Sequence, residues 1–285
     1  MEWILDFPST IRLDFTKQID AFIAYLNVHY ADFFAGLKAI LNSVIGGIYQ
    51  GLELIPWWLL ILVIVLLTKK LVGRYRTGIL YGLLMFLIGA FGYWQMMNET
   101  LSIVITAVIL SLFIGLPIGI LISTSVKVNS IFRPVLDAMQ TMPTFVYMIP
   151  AVMLLGPGKV PAVLATVIYA VVPVIRLTSH GIQQVDKEVV EAARSFGSSR
   201  WQILAKVQIP QALPTIMAGV NQTMMMAVAM VVTCAMIGAN GLGMEVLIAI
   251  NRTESGRGLV AGICIVIIAI IIDRLTQSVS AKGGR

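Results

Sequence analysis

This sequence is short of charge. Asp, Glu, Lys and Arg make up 12% of its 285 residues, against 58% hydrophobic, whereas soluble domains carry roughly 25% charged residues. With a mean hydropathy of +0.91, a soluble globular chain is excluded, and the core must be buried in lipid and among neighbouring helices. Cysteine is scarce as well. Cys234 and Cys264 lie far apart inside apolar segments, without metal-ligand spacing, and read as small core residues. The two histidines, His29 and His180, belong to no cluster. No Walker A loop is present, so the chain does not hydrolyse ATP itself. An intramembrane enzyme would need paired acids, a metal cluster or a nucleophile with its base at membrane depth. Asp273 is the only acid touching a predicted span, and it stands at the end of that span beside Arg274.

What is there is apolar and helical. A spanning helix needs about 20 mostly apolar residues. Seven stretches serve: 54–68, 78–97, 101–125, a short one at 141–155 with Pro143 and Pro150, then 160–175, 212–237 and 259–272. Trp57, Trp58 and Trp94 fall at span ends, where an interfacial belt suits them. Gly115 and Gly119 stand four apart in the third span, a spacing that allows close helix contact. Pro117 lies between them, where a kink is expected. Residues 1–53 are amphipathic. Phe15, Ile19, Phe22 and Leu26 recur at helical spacing, as do Phe33, Leu37, Ile40, Val44 and Ile48. One or two helices along the membrane surface are expected there, with a short or re-entrant span over 33–52 as the alternative. Pro8 and the lack of a basic start followed by an apolar run argue against a secretory signal.

The net charge of +6 would suggest nucleic acid in a soluble chain. Here it fits cationic cytoplasmic loops, and no nucleic-acid partner is expected. Placing Lys69, Lys70, Arg74 and Arg76 inside puts 14 of the 20 basic residues in the cytoplasm by alternation. Arg12, Lys17, Lys38, Lys159, Arg252 and Arg257 remain outside. The expected topology has seven spans, the N-terminus outside and the C-terminus inside. Between the last two spans, 238–258 has Gly238, Gly241 and Gly243 ahead of a short apolar centre. A short outer helix is expected there, as a structural loop, a gate or a docking surface.

The longest polar interval between two apolar segments is 191–210, EAARSFGSSRWQILAKVQIP, on the side placed in the cytoplasm. Glu191 and Arg194 are spaced to pair on one helix face. Ala192 and Ala193 are small. Gly197 breaks the helix or admits a close backbone. Trp201 and Leu204 sit on a second short helix, and Pro210 is expected to stop it. Elsewhere Asn221, Gln222, Thr223 and Thr233 are polar on an otherwise Met-rich span. They either line a solute route or form interhelical hydrogen bonds.

Glu191-Ala192-Ala193, three residues, Gly197, nine residues and Val207-Gln208-Ile209-Pro210 together resemble the signature loop of bacterial ABC-importer permeases. The family pattern ends in I-x-L-P, and the two departures keep apolar bulk. The runs 141–182 and 191–227 look like the permeases of glycine betaine/proline betaine importers, and the likeness covers about 54–274. Methionine importers share the five-span core and are the alternative. The resemblance implies an all-α membrane protein of about seven transmembrane helices with a five-helix type I importer core. It divides the chain into an amphipathic segment (1–53), two accessory spans (54–97) and a permease core (98–276) with a coupling loop at about 183–210. It implies ATPase coupling through Glu191, Ala192, Ala193, Gly197, Trp201 and Pro210. It further implies a second copy of the chain, cytoplasmic ATPase subunits that use ATP and Mg, an external or lipid-anchored substrate-binding protein, and no cofactor on this chain. A stand-alone channel or secondary transporter would lack the ATPase.

The topology is open to labelling. In a Cys234→Ala, Cys264→Ala background, Ser198→Cys is expected to react with an impermeant thiol reagent only from the cytoplasmic side, and Ser255→Cys only from outside. Reaction of both from one side would contradict the seven-span arrangement.

Overall fold

The computed structural model describes residues 15–283, and every regular element among them is helical. Pro8, Arg12 and Arg285 lie outside the described residues. The helices are α1 (Thr16–His29), α2 (Ala31–Leu54), α3 (Trp57–Val72), α4 (Tyr75–Ala90), α5 (Trp94–Ser123), α6 (Val126–Thr141), α7 (Thr144–Leu155) and α8 (Lys159–Gln183). There follow α9 (Lys187–Ser195), α10 (Arg200–Ile203), a π-turn (Leu204–Gln208), α11 (Ile209–Ala235), α12 (Leu242–Arg252) and α13 (Ser255–Gly283).

All seven predicted spans are helical, with shifted ends. The second stops at Ala90 instead of running to 97. Gly92 takes φ 81°, and the Gly92 and Tyr93 amides donate to the Gly89 and Ile88 carbonyls at 2.9 and 3.1 Å. That pair of bonds is the Schellman stop, which needs a residue with positive φ. The next helix then starts at Trp94, so Asn98, Glu99 and Thr100 lie inside α5 and do not separate two spans. The predicted fourth span is the second half of a bent pair. Lys127–Thr141 and Thr144–Leu155 meet at 92°, where Pro143 pushes Met142 into an extended conformation (ψ 130°). Among the described residues five helices can cross a membrane by length and composition, or six with the bent pair. The hairpin helices α3 and α4 have 16 residues each, or about 24 Å at 1.5 Å per residue.

One of those five is α2, the segment expected to lie on the surface. Its contacts gather at one end of the bundle. The Asn27 amide, on α1, donates to the Met153 carbonyl at 3.1 Å. A Cβ on Gly156 would lie 3.4 Å from Lys38 Nζ. Lys159 Nζ stands 5.5 Å from the Tyr49 ring centre and 3.2 Å from Glu99 Oε1. This is the end where α7 finishes and α5 and α8 begin. Leu41 and Ile45 are buried there against Ile103, Ala107, Met148 and Val163.

The core is built around α8, which is buried along most of its length. Glycines let its neighbours come close. A Cβ on Gly119 of α5 would meet Thr178 Cβ at 2.7 Å and the Ile175 carbonyl at 2.8 Å, and one on Gly219 of α11 would meet Val174 Cα at 3.2 Å. Lipid offers helices no hydrophobic reason to associate, so backbone-level packing carries the contact. The last two elements are pinned at the bundle's opposite end from the loop. Arg257 Nε lies 2.7 Å from Glu245 Oε2 and its Nη1 3.2 Å from Glu254 Oε2. Burial and the Glu245 carboxylate raise the Tyr93 hydroxyl above its ordinary pKa there.

Gly119→Ala is expected to cost about 1–3 kcal/mol by overpacking, lowering the unfolding temperature of the purified protein. Gly262→Ala, which meets nothing within 4 Å, should leave that temperature unchanged.

Candidate coupling site

The loop between α8 and α11 is capped at each of its breaks. The Asp186 side chain caps α9, accepting from the Glu188 amide at 2.9 Å. α9 carries Glu191, Ala192 and Ala193 and ends at Gly197 (φ 80°). There Gly197 N–H donates to the Arg194 carbonyl at 2.9 Å and Ser198 N–H to the Ala193 carbonyl at 3.1 Å, again the Schellman pattern. A capping box opens α10: Ser199 Oγ accepts from the Gln202 amide at 3.3 Å, and the Ser199 amide donates to Gln202 Oε1 at 2.8 Å. Gly197 is therefore needed for its backbone. Among the described residues nothing lies within 4 Å of where its Cβ would be.

Two expectations change. Glu191 and Arg194 form no ion pair among the described residues, and Glu191 instead accepts Ser195 Oγ at its carbonyl, 3.0 Å away. Pro210 does not stop the second helix. Arg200–Ala235 runs on as one 36-residue helix, widened into a π-turn at Leu204–Gln208. A proline in a helix interior removes one hydrogen bond and crowds the carbonyl four residues back. The widened turn ahead of Pro210 is where that crowding is relieved, and such turns recur at functional sites.

The loop's apolar side chains divide sharply. Ile203 and Leu204 are buried, Leu204 in a cluster with Ile182, Ala212 and Ile216. Phe196 is 91% and Trp201 76% exposed, so two large rings stand open to the surroundings at the tip. A groove of about 950 Å³ separates the loop (Val190, Arg194, Trp201) from the end of α5 (Pro117, Leu121, Thr124). Phe196 was missed in the sequence reading, although an aromatic beside the loop glycine was the available signal. The capping box was legible as Ser199-x-x-Gln202.

The four polar residues of α11 do not share one face. Asn221 Nδ2 donates to Asp273 Oδ1 on α13 at 2.9 Å. Thr223 is fully buried, Gln222 is exposed and Thr233 is half-buried. Gln277 also donates to Asp273, at 2.8 Å. Among the described residues no group of three or more His, Cys, Asp or Glu could hold a metal ion.

An apolar helical core with a capped, aromatic-tipped loop held beyond one end of two central helices is the architecture of a multi-pass membrane subunit. The chain belongs to the family of binding-protein-dependent transport system inner membrane components, matched over residues 111–282. It is 48% identical to the glycine betaine/carnitine transport permease protein GbuB of Listeria monocytogenes over 260 residues, covering 88% of this chain and 91% of that protein. It is 44% identical to the glycine betaine transport system permease protein OpuAB of Bacillus subtilis, covering 95% and 96%. Its fold matches a chain of the inward-facing MetNI methionine ABC transporter with a TM-score of 0.59 and 20% identity, covering 66% of this chain and 94% of that one. The chain is thus a multi-pass membrane permease and not an enzyme, and its family works with an ATPase and a substrate-binding protein.

Gly197→Val is expected to strain the turn by about 1–2 kcal/mol, because a branched side chain is disfavoured at positive φ, whereas Gly197→Asn strains it less. Hydrogen exchange over 187–203 should accelerate in the valine variant and stay close to wild type in the asparagine variant.

Proposed function

We propose that this permease imports glycine betaine or a related quaternary ammonium solute, as a pair of copies that share the path. The reading is carried by the identity of 44–48% to permeases named for glycine betaine, along nearly the whole chain. The likeness to the methionine transporter, at 20% identity, supports the fold alone. ATP and Mg belong to cytoplasmic ATPase subunits, solute arrives on an external or lipid-anchored binding protein, and the chain itself binds no cofactor. The N-terminus lies outside, α1 and α2 rest along the outer face, and α9 and α10 project into the cytoplasm.

Physical chemistry supports each part. Phe196 and Trp201 are hydrophobic anchors of the kind that dominate interfaces. The small side chains of Ala192 and Ala193 let a partner approach α9, and Glu191 stands on the same short helix. Gly197 and the π-turn before Pro210 fix the loop against α8 and α11, so a push on the tip reaches both. A path for a fixed cation must not trap it. The Asp273 carboxylate is already engaged by Asn221 and Gln277. Gln222 is the α11 polar residue turned outward, toward the second copy, and Thr223 and Thr233 lie nearer the helix packing.

The test is uptake by proteoliposomes holding the permease, its ATPase and its binding protein. Radiolabelled glycine betaine should accumulate only with ATP and Mg. The double change Phe196→Ala, Trp201→Ala should cut both uptake and co-purified ATPase about tenfold or more, with membrane insertion unchanged. Uptake of methionine but not betaine would overturn the substrate, and wild-type ATPase binding by the double variant would overturn the coupling role.

A further inference from the structure

A second cavity, about 280 Å³, opens between α6 and the loop-side end of α8. Its polar lining is Asn129, Arg133, Arg176, Ser179, His180 and Gln183. Nothing in the coupling or transport account uses these side chains. Asp137, one turn after Arg133 on α6, pairs with Arg176 through a single guanidinium nitrogen. Arg133 has no carboxylate within 4 Å among the described residues. The two arginines and one aspartate therefore leave the cleft net positive whatever the state of His180.

We propose that this cleft binds the phosphate group of an anionic phospholipid of the inner leaflet. Guanidinium groups are the side chains best matched to phosphate oxygens, which they can engage two at a time. The amides of Asn129 and Gln183 and the Ser179 hydroxyl supply further donors for a tetrahedral anion with several acceptor oxygens. The cleft does not suit the proposed solute. No Phe, Tyr or Trp ring lines it among the described residues, so it offers no cage for a quaternary ammonium group, and its net charge repels that group.

Position favours a lipid over a free anion. Ile131 and Val135, on α6 beside Arg133, are 69% and 53% exposed, and the helix also carries Lys127, Arg133 and Asp137. A helix with exposed apolar residues on one side and polar and charged residues on the other suits the boundary between headgroups and acyl chains, at the depth of the lipid phosphates. Basic pockets between helices on the cytoplasmic side hold such headgroups. This placement rests on the proposed cytoplasmic orientation of the loop end of α8. A phosphate bound there would join α6 to α8 beside the 92° bend.

The experiment titrates the purified complex of permease and ATPase in detergent with phosphatidylglycerol or phosphatidylcholine and counts bound lipid by native mass spectrometry. Phosphatidylglycerol should bind in preference. The double change Arg133→Gln, His180→Gln should weaken it about tenfold or more, while Arg74→Gln, on the same side but outside the cleft, should not. Arg133 and His180 are both exposed, and recovery of the intact complex verifies the fold of the double variant. Equal binding of the two lipids, or unchanged phosphatidylglycerol binding in the double variant, would overturn the proposal. Displacement of the lipid by millimolar inorganic phosphate would assign the cleft to a free anion and overturn the lipid source. Because the readout is binding, a failure of glycine betaine uptake leaves this result standing.

Discussion

Three helices touching at the level of their backbones hold this molecule together. α8 lies between α5 and α11, and the positions that let it do so are Gly115 and Gly119 on one side and Gly219 on the other. In water such a contact could be replaced by larger side chains that bury more apolar area. In lipid that exchange gains little, because the acyl chains already solvate apolar groups. Close packing and the dispersion it allows are what remain. Two buried hydroxyls in this core are satisfied by their own helix: Thr166 and Thr106 donate to carbonyls one turn back at 2.8 and 2.6 Å.

The loop inherits its stiffness from that packing. It leaves α8 at Gln183 and rejoins the bundle through the π-turn into α11, so both ends are attached to helices packed against each other. Within the loop every break is chemically defined by the Asp186 cap, the Gly197 stop and the Ser199–Gln202 box. A loose connector would absorb displacement. A loop capped at every break is suited to transmit it, and Phe196 and Trp201 stand exposed at its tip.

Much of this was legible in the sequence because membrane constraints are coarse and strong. Apolar runs, the scarcity of charge and the Glu191-to-Pro210 spacing gave the class, the core and the loop, and the Gly115–Gly119 spacing gave one real helix contact. What stayed hidden depended on local backbone geometry. Composition cannot say that Gly92 ends a helix and merges the following polar residues into α5. It cannot say that Pro143 sets the fourth predicted span at 92° to a helix ahead of it, or that a π-turn carries the chain past Pro210. The α11 polar residues looked alike in the sequence. Successive residues of a helix point about 100° apart, which sends Asn221 to Asp273, Gln222 to the surface and Thr223 into the packing.

In the proposed mechanism the loop, α8 and α11 move as one body when the ATPase acts. Spin labels at Ser198 on the loop and Ala218 on the exposed side of α11 would measure this by pulsed electron resonance in the full transporter. The intrachain distance is predicted to be the same with and without ATP, while the distance between Ser198 labels on the two copies changes. An intrachain distance that shifts as much as the distance between copies would contradict it.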